Sequence, residues 1–340
     1  MSGVEQGDAM GDLVLVTGGA GYVGSHLTRQ LLARGHRVRV LDNFVYGEHG
    51  LDELAAGGAL ERINGDICDE RALARAVTGV RAVVALAAIV GDAACDLDPE
   101  RTMAINYEST RQMLAACRAA QVERLVFASS CSVYGAKENE VLDEASTLNP
   151  VSLYARTRIM SEEVLLDQRD VEVIVLRLAT VCGVSPRMRF DLMVNTMTAC
   201  ATAQGAIRVS GASQWRPHLH VQDAAEAFRC AVEAKAPREK IFNVGSDAQN
   251  FTVGEIAERV AQQVPNTQIE YAPNGHDLRS YRVSFERIAS ELGFTARHTV
   301  DDAIAEVGAL LHSGRVADFR HDQFHNAKWL SANGRLQGAA

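Results

Sequence analysis

The chain has 340 residues, a formal net charge of -9 and 47% hydrophobic residues, a composition typical of soluble globular proteins. Its acidity argues against nucleic acid or an anionic membrane as partner. The most apolar run, residues 80–91, contains Arg81 and is too short to span a bilayer, and residues 1–12 lack the apolar stretch of a secretory signal. Seven scattered cysteines without a C-x-x-C pair predict free thiols, no metal site and a cytoplasmic location.

Short β-branched runs alternate with amphipathic stretches through the first half of the chain. Strands are predicted at residues 13–17, 37–41, 59–63, 82–86, 125–128 and 172–176, and helices at 22–34, 101–120 and 152–168. This alternation indicates α/β architecture, a doubly wound parallel sheet with helices on both faces.

After residue 180 the pattern loosens. A loop is predicted at 184–189, helices at 190–204, 223–235, 253–263 and 300–311, and short strands at 207–209 and 241–244. We therefore predict a flexible N-terminus (1–12), a first domain (13–180), a smaller α/β domain (181–330, partly returning to the first sheet) and a flexible tail (331–340).

A glycine cluster follows the first strand. Residues 17–24 read TGGAGYVG, and Gly18, Gly21 and Gly24 have the spacing of a turn that lets a diphosphate approach the start of a helix. Asp42 ends the second strand, where a carboxylate accepts hydrogen bonds from both adenosine ribose hydroxyls and repels a 2′-phosphate. This combination predicts NAD rather than NADP.

Asp66 and Ile67 follow the third strand. They suit the edge of an adenine ring, but Asp66 suits equally well the cap of the next helix, before Glu70. Both interpretations stay open from the residues alone.

A tyrosine, a cation and a serine form the second group of interest. Tyr154 opens a predicted helix, and Arg158 lies four residues on, on the same helical face. A neighbouring cation and a positive nicotinamide lower the pKa of a tyrosine. Ser130 follows the strand at 125–128, at the sheet edge where such folds bind ligands. Alone, each residue fits a packing or surface role; their order along the chain favours general acid–base catalysis.

Together these motifs resemble the extended short-chain dehydrogenase/reductases, and within them the NAD-dependent nucleotide-sugar epimerase/dehydratase family. The similarity covers residues 13–311 and is carried by residues 17–24, 42–43, 66–67, 86–88, 106 with 110, 129–135, 154 with 158, and 216–223. It implies a Rossmann fold with a smaller C-terminal substrate domain, bound NAD and a nucleotide-sugar substrate. It also implies a homodimer joined through helices 101–120 and 152–168.

The resemblance implies a role for each matching residue. The catalytic residues are Tyr154, Ser130 and Arg158. The cofactor is bound by Gly18, Gly21, Tyr22, Val23, Gly24, Asp42, Asn43, Asp66, Ile67, Leu86, Ala87, Ala88, Asn106, Tyr154 and Arg158. The substrate is bound by Ser130, Ser132, Thr180, Arg187, Arg189, Arg216 and Arg279. Each of these four arginines, taken singly, fits a solvated surface charge equally well.

Two departures from the family pattern bear on the reaction. Arg158 stands where the family has lysine, and we expect it to keep both jobs of that lysine, binding the nicotinamide ribose and lowering the tyrosine pKa, with altered geometry. Cys131 and Ser132 stand where the dehydratases have an Asp-Glu pair, so no carboxylic acid is available for C–O cleavage. A hydroxyl at 132 resembles the 4-epimerases, and Cys131 is expected to be a packing residue.

The predicted reaction is therefore epimerisation at C4 through a transient 4-keto sugar on tightly bound NAD. Alternatives are a dehydrogenase, ketoreductase or dehydratase of the same family, and a non-catalytic NAD-binding sensor in which Arg158 marks lost chemistry.

Overall fold

The computed structural model describes residues 11–235, 237–273 and 279–333, in which strands and helices alternate. The strands are β1 (Leu13–Thr17), β2 (Arg37–Asp42), β3 (Leu60–Asn64), β4 (Ala82–Ala85), β5 (Arg124–Ser130), β6 (Ala136–Leu142), β7 (Glu172–Leu178), β8 (Thr180–Cys182), β9 (Ala206–Val209), β10 (Trp215–His220), β11 (Ile241–Val244), β12 (Asn250–Thr252), β13 (Gln268–Tyr271) and β14 (Ser280–Val283). The α-helices are α1 (Gly24–Ala33), α2 (Glu70–Val77), α3 (Asp92–Cys95), α4 (Pro99–Met103), α5 (Ser109–Ala119), α6 (Leu153–Leu166), α7 (Met193–Gln204), α8 (Val221–Glu233), α9 (Val253–Gln263), α10 (Glu286–Leu292), α11 (Val300–His312) and α12 (Asn326–Asn333).

Seven of these strands form a parallel sheet in the order β11-β7-β5-β4-β1-β2-β3. The strand order reverses between β1 and β4, and the chain leaves both strands at the same edge. In open parallel sheets this switch point is where ligands bind. The predicted doubly wound fold is confirmed.

Both faces of this sheet are buried, which explains its continuous apolar strands. All five residues of β1 are buried. Val14 and Val16 contribute to the core on one face, and Leu13 and Leu15 to the core on the other.

The second half of the chain builds smaller sheets around a core of its own. β10 lies between β12 and β8, and β9 pairs with β13, while α7, α9 and α11 pack together beside them. Residues 221–244 return to the main sheet: α8 packs against α1, and β11 adds the strand next to β7. β10 escapes the sequence pattern because it contains Pro217, a residue that argues against a strand.

The predicted helix at 101–120 is longer and less regular than expected. It runs from Pro99 to Ala119, with a turn of π-helix over Ala104–Glu108 between α4 and α5. The predicted helix at 190–204 begins only at Met193, and the Asp191 carboxylate before it binds the Arg189 guanidinium.

The flexible chain ends stay a prediction from the sequence. The Asp12 carboxylate pairs with Arg81 at 2.5 Å, and residues 1–10 lie outside the described residues. Residues 331–333 form the last turn of α12. That helix packs against α3; residues 334–340 lie outside the description.

Across the described ranges, no helix combines the length and the apolar character needed to cross a bilayer. All seven cysteines are free thiols.

Candidate active site

The carboxyl ends of β1, β2, β4 and β5 open into one cleft of about 1210 Å³, more than the roughly 300–1,000 Å³ of a pocket for one drug-sized ligand. With the exception of Asn106, every site residue predicted from the sequence lines this cleft. Asn106 is buried behind the wall, where its side chain binds both the N–H and the carbonyl of Ile89 at 2.9 Å. It therefore positions the loop after β4.

The glycine cluster forms a turn too tight for other residues. Gly18 has φ +72°, and a Cβ on it would lie 2.8 Å from the backbone nitrogen of Ala87. A Cβ on Gly24 would lie 2.1 Å from the Gly18 carbonyl oxygen. The backbone at the start of α1 therefore faces the cleft without side chains in the way, which is the arrangement that accepts a diphosphate.

Asp42 ends β2 with its carboxylate fixed by backbone donors. Its oxygens accept hydrogen bonds from the N–H groups of Ala20 (3.1 Å) and Phe44 (2.9 Å). Burial raises the pKa of Asp42, and these two hydrogen bonds act against that rise.

The two interpretations of Asp66 can now be separated. The N-cap of α2 is Asp69, whose carboxylate accepts from the Arg71 N–H at 2.8 Å. Asp66 instead accepts from the Cys68 N–H at 2.9 Å and lines the cleft beside Ile67. The capping interpretation of Asp66 is wrong.

Tyr154 and Arg158 lie one turn apart on α6, whose N-cap Ser152 accepts from the Ala155 N–H. The Arg158 guanidinium carbon lies 5.2 Å from the centre of the Tyr154 ring. Burial raises the pKa of Tyr154, and the charge of Arg158 lowers it. The tyrosine thus has the cationic neighbour that a proton-transferring phenol needs.

Arg158 is a buried cation with spare donors. It is 3% exposed, stacks over the Phe127 ring at 5.4 Å and donates from Nη1 to the Ala128 carbonyl at 3.1 Å. Its Nε and Nη2 have no hydrogen-bond partner among the described residues. A buried donor without a partner is costly, so these two nitrogens indicate a ligand in the cleft.

The serine segment after β5 is held by a buried polar network that the sequence analysis did not identify. Arg177 forms an ion pair with Glu162 at 2.6 Å, and each side chain is 3% exposed. Glu162 also accepts from the Ser129 hydroxyl, and Arg177 donates to the Tyr134 hydroxyl, which donates to Asn243. The network fixes both ends of residues 129–134.

Three consecutive residues of that segment, Ser130, Cys131 and Ser132, have different surroundings. Ser130 and Ser132 line the cleft, and the buried Ser132 hydroxyl has no partner in the described part of the chain. Cys131 is fully buried and its thiol donates to the Arg177 carbonyl, so it packs inside, as predicted.

The four predicted arginines form two pairs. Arg216 and Arg279 are neighbours, since the Arg216 guanidinium donates to the Arg279 carbonyl, and Arg279 forms an ion pair with Asp92 at 3.1 Å. Arg187 and Arg189 form the second pair, on the loop between β8 and α7. Thr180 begins β8 and lines the cleft.

The model of the NAD dependent epimerase/dehydratase family matches residues 14–245 of this chain. The chain belongs to that family. NAD is accordingly its cofactor, and the tight glycine turn together with the unpartnered donors of Arg158 fits a bound dinucleotide.

Relatives and solved structures agree with this membership. The chain is 29% identical over 321 residues to a probable UDP-arabinose 4-epimerase of Oryza sativa subsp. japonica, covering 84% of this chain and 76% of that protein. The structure of MoeE5 with UDP-glucuronic acid and NAD has a TM-score of 0.77 at 28% identity, covering 89% of this chain and 100% of that one. The UDP-glucose 4-epimerase of Thermus thermophilus, solved with NAD, has a TM-score of 0.78 at 26% identity, covering 89% and 100%.

Several residues of the cleft carry no motif that the sequence analysis used. They include Tyr46, Asp92, Asp191, Arg208, Asn326 and Lys328. Asp92 comes directly after the apolar run at residues 80–91, which contains β4. Its position near the sheet edge was the only sequence signal for a role in the cleft. Asn326 and Lys328 lie on α12, a helix outside the region of resemblance.

Proposed function

We propose that the protein is an NAD-dependent epimerase that inverts C4 of a UDP-linked sugar. The observation that carries this proposal is the hydroxyl-rich wall of the cleft, where Ser130, Ser132 and Tyr154 face the same space and no carboxylic acid stands at 131 or 132. Relatives named UDP-arabinose 4-epimerase and UDP-glucose 4-epimerase support the substrate class.

The cofactor would lie on the sheet side of the cleft. Gly18, Gly21 and Gly24 would receive its diphosphate at the start of α1, Asp42 would accept from the adenosine ribose hydroxyls, and the spare donors of Arg158 would reach the second ribose. Bound NAD would supply a reversible hydride acceptor for the sugar carbon, without net reduction.

The proton is handled by Tyr154 and Ser130. As a phenolate, Tyr154 accepts the proton of the C4 hydroxyl, and Ser130 shares that hydrogen bond. The same proton returns to the oxygen when the other face of the keto sugar is reduced. Arg158 favours the phenolate because its charge lowers the tyrosine pKa.

The sugar nucleotide would be held at its diphosphate by Arg216 and Arg279, whose guanidinium groups suit paired phosphate oxygens. Asp92 forms an ion pair with Arg279. A bound diphosphate would compete with this carboxylate for the same arginine.

Product analysis tests the proposal. Purified protein without added NAD is incubated with UDP-glucose or UDP-arabinose, and the products are followed by NMR together with NADH absorbance. The C4 epimer should accumulate without net NADH. A stoichiometric rise in NADH would indicate a dehydrogenase, and bound NAD without any product would indicate a sensor.

The homodimer and the cytoplasmic location stay predictions from the sequence. Helices α5 and α6, which would form the dimer contact, lie side by side. Light scattering of the purified protein tests the dimer directly.

A further inference from the structure

Arg187 is another of the buried arginines that line the cleft. It is 7% exposed, its guanidinium carbon lies 4.0 Å from the centre of the Tyr46 ring, and its Nη2 donates to Asn326 Oδ1 at 2.6 Å. Its Nε has no hydrogen-bond partner within the described ranges. Tyr46 and Asn326 are neutral partners, so neither balances the charge.

The neighbouring Arg189 differs from Arg187 because it has an acidic partner. Arg189 binds Asp191 through two hydrogen bonds of 2.9 and 3.0 Å. No carboxylate of the described residues forms an ion pair with Arg187. Burial and the charge of Arg189 lower the pKa of Arg187 to about 10. Asp191 favours the charge of Arg187 without pairing with it directly. A buried cation without a directly paired counter-ion is unfavourable, so an anionic ligand would relieve this cost.

The loop that carries Arg187 is fastened to the glycine turn. The Tyr22 hydroxyl donates to the Gly183 carbonyl at 2.6 Å, and the Ser185 hydroxyl donates to the Tyr22 carbonyl at 2.8 Å. Ser25, in the first turn of α1, lies 3.1 Å from Ser185 between hydroxyl oxygens. Arg187 therefore lies two residues after Ser185, next to a loop that contacts the N-terminal end of α1, where the diphosphate is expected to bind.

Arg187 also acts electrostatically on Asp42. Its charge lowers the pKa of Asp42, the residue at the adenosine end. Arg216 and Arg279 form the separate pair described above, beside Asp92.

Asn326 belongs to α12, which crosses the cleft between two loops of the sheet edge. Its Nδ2 donates to the Val90 carbonyl after β4 at 3.1 Å. One turn on, Trp329 Nε1 donates to the Val45 carbonyl after β2 at 2.6 Å. Leu330 packs with the apolar cluster beside Tyr154. The helix thus joins the loop after β2 to the loop after β4, on the two sides of the switch point.

We propose that Arg187, clamped between Tyr46 and Asn326, binds the diphosphate of the dinucleotide, and that α12 thereby retains NAD in the cleft. This replaces the substrate role that the sequence implied for Arg187. Asn326 is a positioning residue, since it acts through Arg187. The inference rests on the proposed function in one respect, that NAD stays bound from one turnover to the next.

A diphosphate also occurs in the sugar nucleotide, so the test has two arms. The first measures NAD release from the purified holoenzyme, without sugar, by trapping the freed NAD with a second NAD-dependent enzyme. The second measures binding of UDP to the NAD-loaded protein by calorimetry. The variants are Arg187→Gln, Arg187→Lys and Asn326→Leu. Arg259→Gln is the matched control, because Arg259 also stacks on an aromatic ring, Phe251 at 4.2 Å, outside the cleft.

Arg187→Gln should speed NAD release about tenfold or more, the loss expected for a charge-assisted hydrogen bond, while UDP affinity changes less than about twofold. Arg187→Lys should recover part of the retention, and Asn326→Leu should lie between it and Arg187→Gln. Arg259→Gln should release NAD like the parent.

Two results would overturn the proposal. One is unchanged NAD release in Arg187→Gln; the other is weakened UDP binding with NAD release intact, which would return Arg187 to the substrate. If Arg187→Gln fails to fold, Arg187→Lys and Asn326→Leu decide the same question. A protein that retains NAD but forms no epimer would refute the proposed function and leave this inference standing.

Discussion

The two walls of the cleft are held together in different ways. The sheet wall is shaped by backbone: the glycine turn, the strand ends and the amides that fix Asp42. The opposite wall is shaped by side chains from distant segments, such as Arg187 bonded to Asn326 and Arg279 paired with Asp92. The first wall offers a preformed surface for a dinucleotide. The second depends on charged contacts that a ligand can replace, so mutations should affect chemistry and binding differently on the two sides.

The largest effect is expected at Tyr154, the proposed proton-transferring group. Tyr154→Phe should lower kcat about 10²–10⁴-fold, since it removes the proposed general acid–base group, while bound NAD is retained. Steady-state rates and the NAD content of the purified protein provide the measurement. Tyr271→Phe is the control, because Tyr271 is 60% exposed and lies away from the cleft. Near-normal turnover in Tyr154→Phe would remove the tyrosine from the mechanism.

The network behind the serine segment should matter for stability. Glu162→Gln leaves the Arg177 charge buried and unpaired, so the free energy of unfolding should fall by about 3–5 kcal/mol. Denaturant unfolding checks this, with Glu163→Gln, its exposed neighbour on α6, expected within about 0.5 kcal/mol of the parent. Equal stability of the two variants would mean that the Glu162–Arg177 pair does not hold the sheet wall.

The charge of Arg158 should influence the pH dependence of kcat through Tyr154. This charge lowers the Tyr154 pKa, so Arg158→Met should raise that pKa and move the rise of kcat to higher pH. Arg158→Lys keeps the charge and should retain or increase turnover. The pH–rate profiles of the three proteins provide the comparison. Loss of activity in a folded Arg158→Lys variant would instead give arginine a role of its own.

The smallest effect is expected at His218, which lies on β10 in the second half of the chain and is fully buried. Burial, and then the charge of Arg216, lower the His218 pKa to about 4. Between pH 6.5 and 4, His218 therefore binds a proton in the unfolded chain but not in the folded protein. The free energy of unfolding falls as the pH falls. His218→Gln should lessen that loss by about 1 kcal/mol between pH 6.5 and 5.5. His49→Gln, at an exposed histidine, should behave like the parent; identical pH dependence in all three would refute the assignment.

Sequence information was sufficient for the sheet wall and insufficient for the other. The glycine turn, Asp42, Ser130 and Tyr154 each follow a strand or begin a helix, so local pattern and the fold's topology together predict where they meet. Glu162 and Arg177 were missed because either residue alone looks like an ordinary surface charge. Their pairing depends on a helix packing over a strand, which no local spacing encodes.

The same limit explains why the sequence assigned Arg187 to the substrate. Its partner Asn326 lies 139 residues away, on a helix whose first residues, 326–330, carry no recognised motif and whose last turn, 331–333, was predicted to be flexible. The sequence indicated an anion-binding arginine and assigned it to the substrate. The cofactor is suggested instead by the bond to Asn326 on α12 and by the attachment of the preceding loop to the glycine turn.

Deuterium at C4 of the substrate tests the central claim most directly. The purified protein is incubated, without added NAD, with UDP-glucose labelled at C4, and the label in the product is read by NMR. Epimerisation through bound NAD predicts UDP-galactose that keeps the deuterium at C4, because the same hydrogen leaves and returns. Loss of the label to solvent, or its appearance in free NADH, would contradict the account.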